Sequence, residues 1–248
     1  MRRTEQHRAQ KVPPAISLGE KQSMGFRVLI VGGTGQVGSG LVRALLAASS
    51  RTEVIMVNRR TTPPAADARL RQVIMDTSAA NFASQIAELA RTRSAQGDPL
   101  YAASCIGIGK GSQQWSEEDI KKLEIGLVGA FARGCRSAGI ERFGLLSAAG
   151  SSVNSWIRYA RIMGQKEETV RSLGFKRLAI FRPGIIAGNV HTPGLLALLG
   201  RLVPGPFGTF DQDDIGRAFV GEFLHGREGT TILGNAAMKQ RSRADLIV

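Results

Sequence analysis

Cysteine, aromatic side chains and long apolar runs are all scarce in this chain of 248 residues. The two cysteines, Cys105 and Cys135, cannot form a disulfide framework, and their spacing to histidine does not resemble a zinc site, so no metal is expected. Both lie in apolar segments, which predicts buried free thiols. No apolar run is long enough to cross a bilayer, so no integral membrane segment is expected.

The rest of the composition is that of a folded domain. Hydrophobic residues make up 43% and charged residues 21%, an ordinary globular mixture that excludes a disordered chain. The length suits one α/β domain, with or without a small appendage. Glycine is frequent, at 30 residues, and aromatics reach only 6%, which favours tight strand-to-helix turns around an aliphatic core.

Positive charge is in large excess, at +13, and it is densest in residues 1–24. This stretch is predicted to be an extended basic arm that precedes the first strand. Two interpretations stay open: solubility together with an anionic ligand, or docking to protein partners in a larger, possibly RNA-containing assembly. The arm also resembles a weak mitochondrial targeting segment, although Glu5, Glu20 and the Pro13-Pro14 pair depart from that pattern. We expect the mitochondrial matrix, with the cytoplasm as the alternative.

From residue 25 onwards, strand and helix patterns alternate. A near-continuous apolar run such as Phe26–Val31 is typical of a buried parallel strand. Further strands are expected around residues 54–57, 72–75, 100–106, 143–147, 177–182 and 230–233, with helices between them. The alternation predicts a Rossmann-type α/β fold with a doubly wound, mostly parallel sheet. Residues 25–248 would form this domain, with a small C-terminal, substrate-side subregion at about 184–248.

A glycine-rich turn follows the first strand and opens the first helix. It comprises Gly32, Gly33, Thr34, Gly35, Gln36, Val37 and Gly38. In this context Gly32 permits a tight turn, Gly35 lets the backbone approach a pyrophosphate, and Gly38 lets the helix pack closely on the strand. The free N–H groups at the helix start would meet the phosphates. The turn therefore predicts dinucleotide binding.

The residues at the end of the second strand indicate which dinucleotide is bound. Folds that prefer NAD carry an acid near this position for the ribose 2′-hydroxyl, whereas an arginine accommodates a 2′-phosphate. Here Arg59 and Arg60 stand there without an acid, which favours NADP(H) over NAD(H), with Arg59 the better candidate. Asp76, after the third strand, either accepts from the adenine amino group or caps the following helix.

Taken in order, these segments resemble the short-chain dehydrogenase/reductase superfamily in its atypical branch. The likeness is greatest to Tat-interacting oxidoreductase-like proteins and their fungal mitochondrial relatives. It covers about residues 26–187. Besides the glycine turn and the two arginines, it rests on Ser104 to Gly107, Phe143 to Ser147, Tyr159, and Phe181 to Gly184. The resemblance implies NADPH binding, to which Cys105, Ile106 and Gly107 would contribute, and a presumed reductase activity.

The superfamily's catalytic pair is a tyrosine followed four residues later by a lysine, one helical turn away. Tyr159 matches the tyrosine, and Ser147 matches the serine that orients the substrate. Met163, however, stands where the lysine belongs, and a thioether supplies neither a proton nor a positive charge. Lys166 lies two turns beyond Tyr159, roughly 10 Å along the helix axis, and is not expected to replace the lysine.

Two hypotheses from different classes follow. In the first, which Met163 and the basic arm favour, the protein binds NADP(H), is catalytically weak or silent, and is a subunit or assembly factor of a larger complex. In the second, it is an NADPH-dependent oxidoreductase of a small carbonyl substrate that uses Tyr159 and Ser147.

Overall fold

The fold is described by a computed structural model that covers residues 25–49, 51–63, 67–95, 97–108, 114–187 and 209–243. The basic arm predicted over residues 1–24 lies outside the described residues, and so does part of the predicted C-terminal subregion. No helix in the part of the chain that is described combines the length and the apolar character needed to cross a membrane.

Seven strands form one sheet, and they are β1 (Arg27–Val31), β2 (Glu53–Asn58), β3 (Leu70–Ile74), β4 (Leu100–Ser104), β5 (Arg142–Leu146), β6 (Arg177–Phe181) and β9 (Gly229–Leu233). Their order across the sheet is β3-β2-β1-β4-β5-β6-β9, and every neighbouring pair is parallel. This order is that of a doubly wound nucleotide-binding sheet, in which strands are added towards one edge from β1 to β3 and towards the other edge from β4 onwards. The prediction of a Rossmann-type α/β fold is confirmed.

Helices cover both faces of this sheet. On one face pack α1 (Gln36–Ala48), α6 (Gln212–His225) and α7 (Asn235–Arg241); on the other pack α2 (Phe82–Ser94), α4 (Val128–Ser137) and α5 (Arg158–Arg171). Strand β1 has an apolar sequence because it is buried on both faces. Val28 and Ile30 join the core under the first face, whereas Leu29 and Val31 join the core under the second. A strand buried on both faces cannot alternate with polar residues.

One predicted helix is divided into three parts. The pattern predicts a single helix from Ser116 to about Ala138, but the structure has α3 (Glu117–Lys121), a π-helical segment (Lys122–Leu127) and then α4. Ser116 caps α3 by accepting from the Asp119 N–H at 3.0 Å. A π-helical segment widens the turn and re-aims its side chains, and such segments are frequent at functional sites.

Strand β4 ends at Ser104, two residues before the predicted end at Ile106. Cys105 still donates its N–H to the Val31 carbonyl at 2.9 Å, and the chain then leaves the sheet. The segment Ile106–Ile108 is therefore an irregular stretch beside the glycine turn.

The C-terminal part of the chain returns to the main sheet. A two-stranded parallel sheet, β7 (Ile185–Ala187) with β8 (Thr209–Asp211), precedes α6, and β9 then pairs with β6. The Gln36 side chain donates from Nε2 to the Ile186 carbonyl at 3.5 Å, so the small sheet lies beside the glycine turn. The sequence pattern did not predict β7, β8 or α7.

Candidate functional site

The glycine turn joins β1 to α1 at the point where the sheet order reverses. Gly32 has φ +80°, a left-handed conformation that favours glycine, and a Cβ there would lie 2.8 Å from the Cys105 carbonyl carbon and the Ile106 nitrogen. A Cβ on Gly38 would lie 2.0 Å from the Gly32 oxygen. Only glycine fits either position, so the turn has the close backbone packing that its sequence predicts.

The N-terminus of α1 can receive an anion. Gly35 is its N-cap residue, no side chain caps it by a hydrogen bond, and its first turn carries no acidic residue. Thr34 and Gly35 are exposed. Unsatisfied N–H groups and the helix dipole both favour negative charge at such an end. A cradle that excludes side chains, followed by an uncapped helix, fits the diphosphate of a dinucleotide.

The predicted 2′-phosphate site lies in the bend after β2. Arg59 and Arg60 are both exposed, and neither makes an ion pair to another described residue. The loop that carries them is held from β3 by the Gln72 side chain. Its Oε1 accepts from Asn58 Nδ2 at 3.2 Å and from Thr62 Oγ1 at 2.6 Å. The loop is anchored at both ends, and its two guanidinium groups face solvent.

Asp76 bonds to its own turn. Its Oδ1 accepts from the Ser78 hydroxyl at 2.6 Å and from the Ser78 N–H at 2.9 Å, and these bonds hold the pKa of the Asp76 carboxyl below its ordinary value. The geometry is that of a local turn cap. Contact with adenine stays a prediction.

The two cysteines are free and buried, as predicted. Burial raises the pKa of the Cys105 thiol to about 12, and the positive charge of Lys166 opposes that rise only in part. The pKa of the Cys135 thiol is also raised by burial. Cys105 therefore contributes to the site as a packed side chain, not as a thiolate.

The hydroxyl of Ser147, the candidate substrate-orienting serine, is hydrogen-bonded within the protein. It is buried just beyond β5, and its hydroxyl donates to Glu167 Oε1 at 2.6 Å, with Ser151 Oγ 3.0 Å away. Glu167 is fully buried on α5 and also binds the Arg182 guanidinium through both of its oxygens, at 2.8 and 2.6 Å. The Ser147 hydroxyl is thus part of a buried network around a carboxylate.

Tyr159 lies in the first turn of α5, and Met163, one turn later, is only 1% exposed. Burial raises the pKa of the Tyr159 hydroxyl well above its ordinary value, and the negative charge of the Glu124 carboxylate raises it further. A catalytic tyrosine of this superfamily has a lysine nearby, whose charge would lower that pKa. Here the neighbouring charge has the opposite sign.

A pair that the sequence analysis did not identify lies at the same end of the sheet. Lys166 Nζ is 2.8 Å from Glu124 Oε2, and both side chains are 0% exposed. Lys166, which was not expected to replace the catalytic lysine, also donates from its amine to the Ile106 carbonyl, 2.9 Å away. A sequence signal for both residues exists, because each interrupts an otherwise apolar helix face.

Among the residues that the structure describes, no group of three or more histidine, cysteine and acidic side chains could hold a metal ion.

Comparison with known proteins supports the same grouping. Residues 28–149 match the model of the NAD dependent epimerase/dehydratase family. Protein fmp52-1, mitochondrial, of Aspergillus terreus is 31% identical, over 89% of this chain and 97% of that protein. Protein fmp52, mitochondrial, of Aspergillus niger is 36% identical, over 75% and 81% respectively. These names confirm the expectation of a mitochondrial protein; the matrix stays a prediction.

Among solved structures, the chain is similar in fold to DesIV, a dTDP-glucose 4,6-dehydratase of Streptomyces venezuelae with NAD and TYD bound. The TM-score is 0.62 at 20% identity, over 87% of this chain and 80% of that one. At this identity the likeness concerns the fold.

Titration of the tyrosines tests the electrostatics of the site. The chain has two tyrosines, Tyr101 and Tyr159, and burial raises the pKa of both hydroxyls. We therefore expect no tyrosinate absorbance in the folded protein at or below the ordinary tyrosine pKa of about 10. Above that pH the tyrosines of the unfolded chain ionise before those of the folded chain, so the free energy of unfolding should fall as the pH rises.

The urea-unfolded protein is the reference for this titration, and the variants Tyr101→Phe and Tyr159→Phe assign the tyrosinate signal to each residue. A signal that appears below the ordinary pKa and disappears in Tyr159→Phe would contradict this account.

Proposed function

Because the chain belongs to the family of fungal mitochondrial fmp52 proteins, in the atypical branch of the short-chain dehydrogenase/reductase superfamily, we propose that it binds NADP(H) and is catalytically weak or silent. The observation that carries the binding part is the glycine cradle at Gly32 and Gly38, which opens onto the uncapped N-terminus of α1. Nicotinamide dinucleotides need such an end for their diphosphate.

The preference for NADP(H) rests on the bend after β2. Gln72 holds the loop, Arg59 and Arg60 are exposed there, and the sequence 58–62 contains no acidic residue to accept from a ribose 2′-hydroxyl. A guanidinium is always charged and binds phosphate through paired N–H groups, so it favours the 2′-phosphate. The NAD named with the solved structure belongs to that protein.

Substitution of Arg59 tests this preference. Since a hydrogen bond to a charged group contributes about 1.5–3 kcal/mol, Arg59→Ala should weaken NADPH binding by about tenfold to a hundredfold and leave NADH nearly unchanged. Calorimetric titration of each dinucleotide measures both values. Arg217→Ala, an exposed arginine on α6 paired with Asp214, removes the same charge elsewhere and should change neither. Equal losses for NADPH and NADH would count against the assignment.

The proposal of weak or absent catalysis rests on three side chains. Tyr159 has a raised pKa and Glu124 as its charged neighbour, Met163 takes the place of the lysine, and Ser147 donates its hydroxyl to Glu167. When bound, a nicotinamide cofactor supplies or accepts a hydride; the chain's part in a reduction would be to pass a proton to the substrate carbonyl. Loss of such proton transfer costs about a hundred- to ten-thousandfold in rate.

The alternative is an NADPH-dependent oxidoreductase of a small carbonyl substrate. It is favoured by the position of Tyr159 at the start of α5, where the superfamily has its catalytic tyrosine. Under this alternative Tyr159 would donate the proton and Ser147 would orient the carbonyl, which requires that Ser147 exchange Glu167 for the substrate.

A measurement of NADPH turnover distinguishes the catalytically silent protein from the oxidoreductase. We expect the purified protein to bind NADPH but not to oxidise it above background across a panel of aldehydes and ketones, because its tyrosine has no lysine beside it. Absorbance of the reduced nicotinamide is the measurement, and Tyr159→Phe is the matched variant, expected to be indistinguishable from the wild type. Steady NADPH oxidation that Tyr159→Phe abolishes would establish the oxidoreductase instead.

We also propose that the protein is a subunit or assembly factor of a larger mitochondrial complex. The net charge of +13 supports this, and so does an apolar surface ahead of α5, where Trp156 is 88% exposed next to the half-exposed Ile157. Large exposed apolar side chains are typical of contact surfaces. The basic arm, residues 1–24, would supply the docking charge.

Removal of residues 2–22 tests the role of the arm. If the arm docks the protein to its complex, the truncated chain should elute at its monomer mass from a gently lysed mitochondrial extract, whereas the full chain elutes with the complex. NADPH affinity should be unchanged in both. The control is the full chain with Arg217→Ala, which removes an exposed arginine outside the arm and should still elute with the complex. Elution of full and truncated chains at the same mass would refute the docking role of the arm.

A further inference from the structure

The buried pair Lys166–Glu124 makes contacts that the function proposed above does not account for. Lys166 comes from α5 and Glu124 from the π-helical segment, and both side chains are 0% exposed. Removing two charges from water costs several kcal/mol for each ion, and a buried pair is retained only where further hydrogen bonds satisfy the remaining atoms. The atoms that accept or donate those further hydrogen bonds therefore indicate which part of the chain the pair positions.

Both further bonds go to one short piece of backbone. Lys166 Nζ donates to the Ile106 carbonyl at 2.9 Å, and Glu124 Oε1 accepts from the Ile108 N–H at 3.0 Å. The ion pair is thus hydrogen-bonded to the segment Ile106–Ile108 through one carbonyl and one amide, which lie on either side of the exposed Gly107. This segment has left the sheet and makes no strand pairing of its own.

The position of the segment connects it to the site. It continues β4, and its first amide nitrogen lies against Gly32, where a Cβ would come within 2.8 Å of it. In a doubly wound sheet each half of the strand order binds one mononucleotide, and β4 begins the second half. The glycine turn and Arg59 belong to the half that takes the adenine side. Ile106–Ile108 therefore borders the nicotinamide side.

We propose that Lys166 and Glu124 are positioning residues for the nicotinamide half of the dinucleotide. This inference rests on the proposed dinucleotide binding and assigns the pair to one half of that ligand. The pair keeps the backbone of Ile106–Ile108 in the shape against which the nicotinamide nucleotide packs. Removal of the pair should therefore weaken binding of the whole dinucleotide and leave binding of its adenine half unchanged.

A purely structural role is distinguishable from this one. Replacement of a buried ion pair by apolar residues of similar volume often leaves stability unchanged or raises it. Such a replacement nevertheless removes the bonds to Ile106 and Ile108. A double variant should therefore keep the stability of the wild type but lose the positioning of Ile106–Ile108. A single substitution would instead leave one buried charge without its partner.

The informative protein is the full chain with Lys166→Met and Glu124→Leu. It should unfold within a few degrees of the wild type. NADPH should bind about tenfold more weakly, because two hydrogen bonds that order its binding surface are lost, while adenosine 2′,5′-bisphosphate should bind as it does to the wild type. Calorimetry measures both constants. If the wild type prefers NADH, the same comparison uses NADH and AMP.

The matched control is Lys122→Met with Glu118→Leu, an exposed pair on the same helical stretch, which should change neither constant. Should the buried double variant unfold, Lys166→Met with Glu124→Gln keeps an acceptor for the Ile108 N–H and should show a smaller loss with the same selectivity. Equal weakening of dinucleotide and fragment, or no weakening of either, would overturn the positioning role. A wild type that binds neither dinucleotide would instead refute the proposed function.

Discussion

The contact on which the site depends is that of the Gly32 backbone with the end of β4. Strands β1 and β4 are neighbours in the sheet although β2 and β3 lie between them in sequence. A Cβ on Gly32 would meet Cys105 and Ile106 at 2.8 Å, so the two chain segments approach as closely as backbones can. This approach opens the crevice at the carboxyl ends of the strands, where doubly wound sheets bind their ligands. The same contact joins the glycine turn to the segment that Lys166 and Glu124 hold.

Much of this architecture could be predicted because it depends on local sequence. Apolar strands buried on both faces, glycine at positions without room for a side chain, and two arginines after β2 each leave a signature within a few residues. Gly32, Gly38 and Arg59 were identified in this way, and the structure places the first two in the predicted turn and the third in the predicted bend. Strand and helix ends were less predictable, since they depend on hydrogen bonds to other segments, as Cys105 to Val31 illustrates.

The contacts of the buried polar residues were not predicted, because their partners are distant in sequence. Glu124 and Lys166 are 42 residues apart, and Ser147 and Glu167 are 20 apart. The periodicity of each helix did hold a clue. Ile120, Glu124 and Val128 share one buried face, and Ile162, Lys166 and Val170 share another, with a charge at the centre of each. Charged residues are almost never fully buried unless they are paired, so two interrupted apolar faces of opposite charge indicate a pair. The π-helical segment that carries Glu124 has no comparable signature.

The same buried residues explain how binding and chemistry can separate within one fold. The groups that would hold a dinucleotide are backbone amides and the surface arginines, whereas proton transfer needs Tyr159 beside a cation. In this chain the lysine nearest in sequence, Lys166, is bonded to Glu124 and Ile106, and the Glu124 carboxylate raises the pKa of Tyr159. Of the two charges in the pair, it is that of Glu124 that shifts the pKa of Tyr159. The ion pair that we propose to order the cleft would thus also make Tyr159 a poor acid–base group.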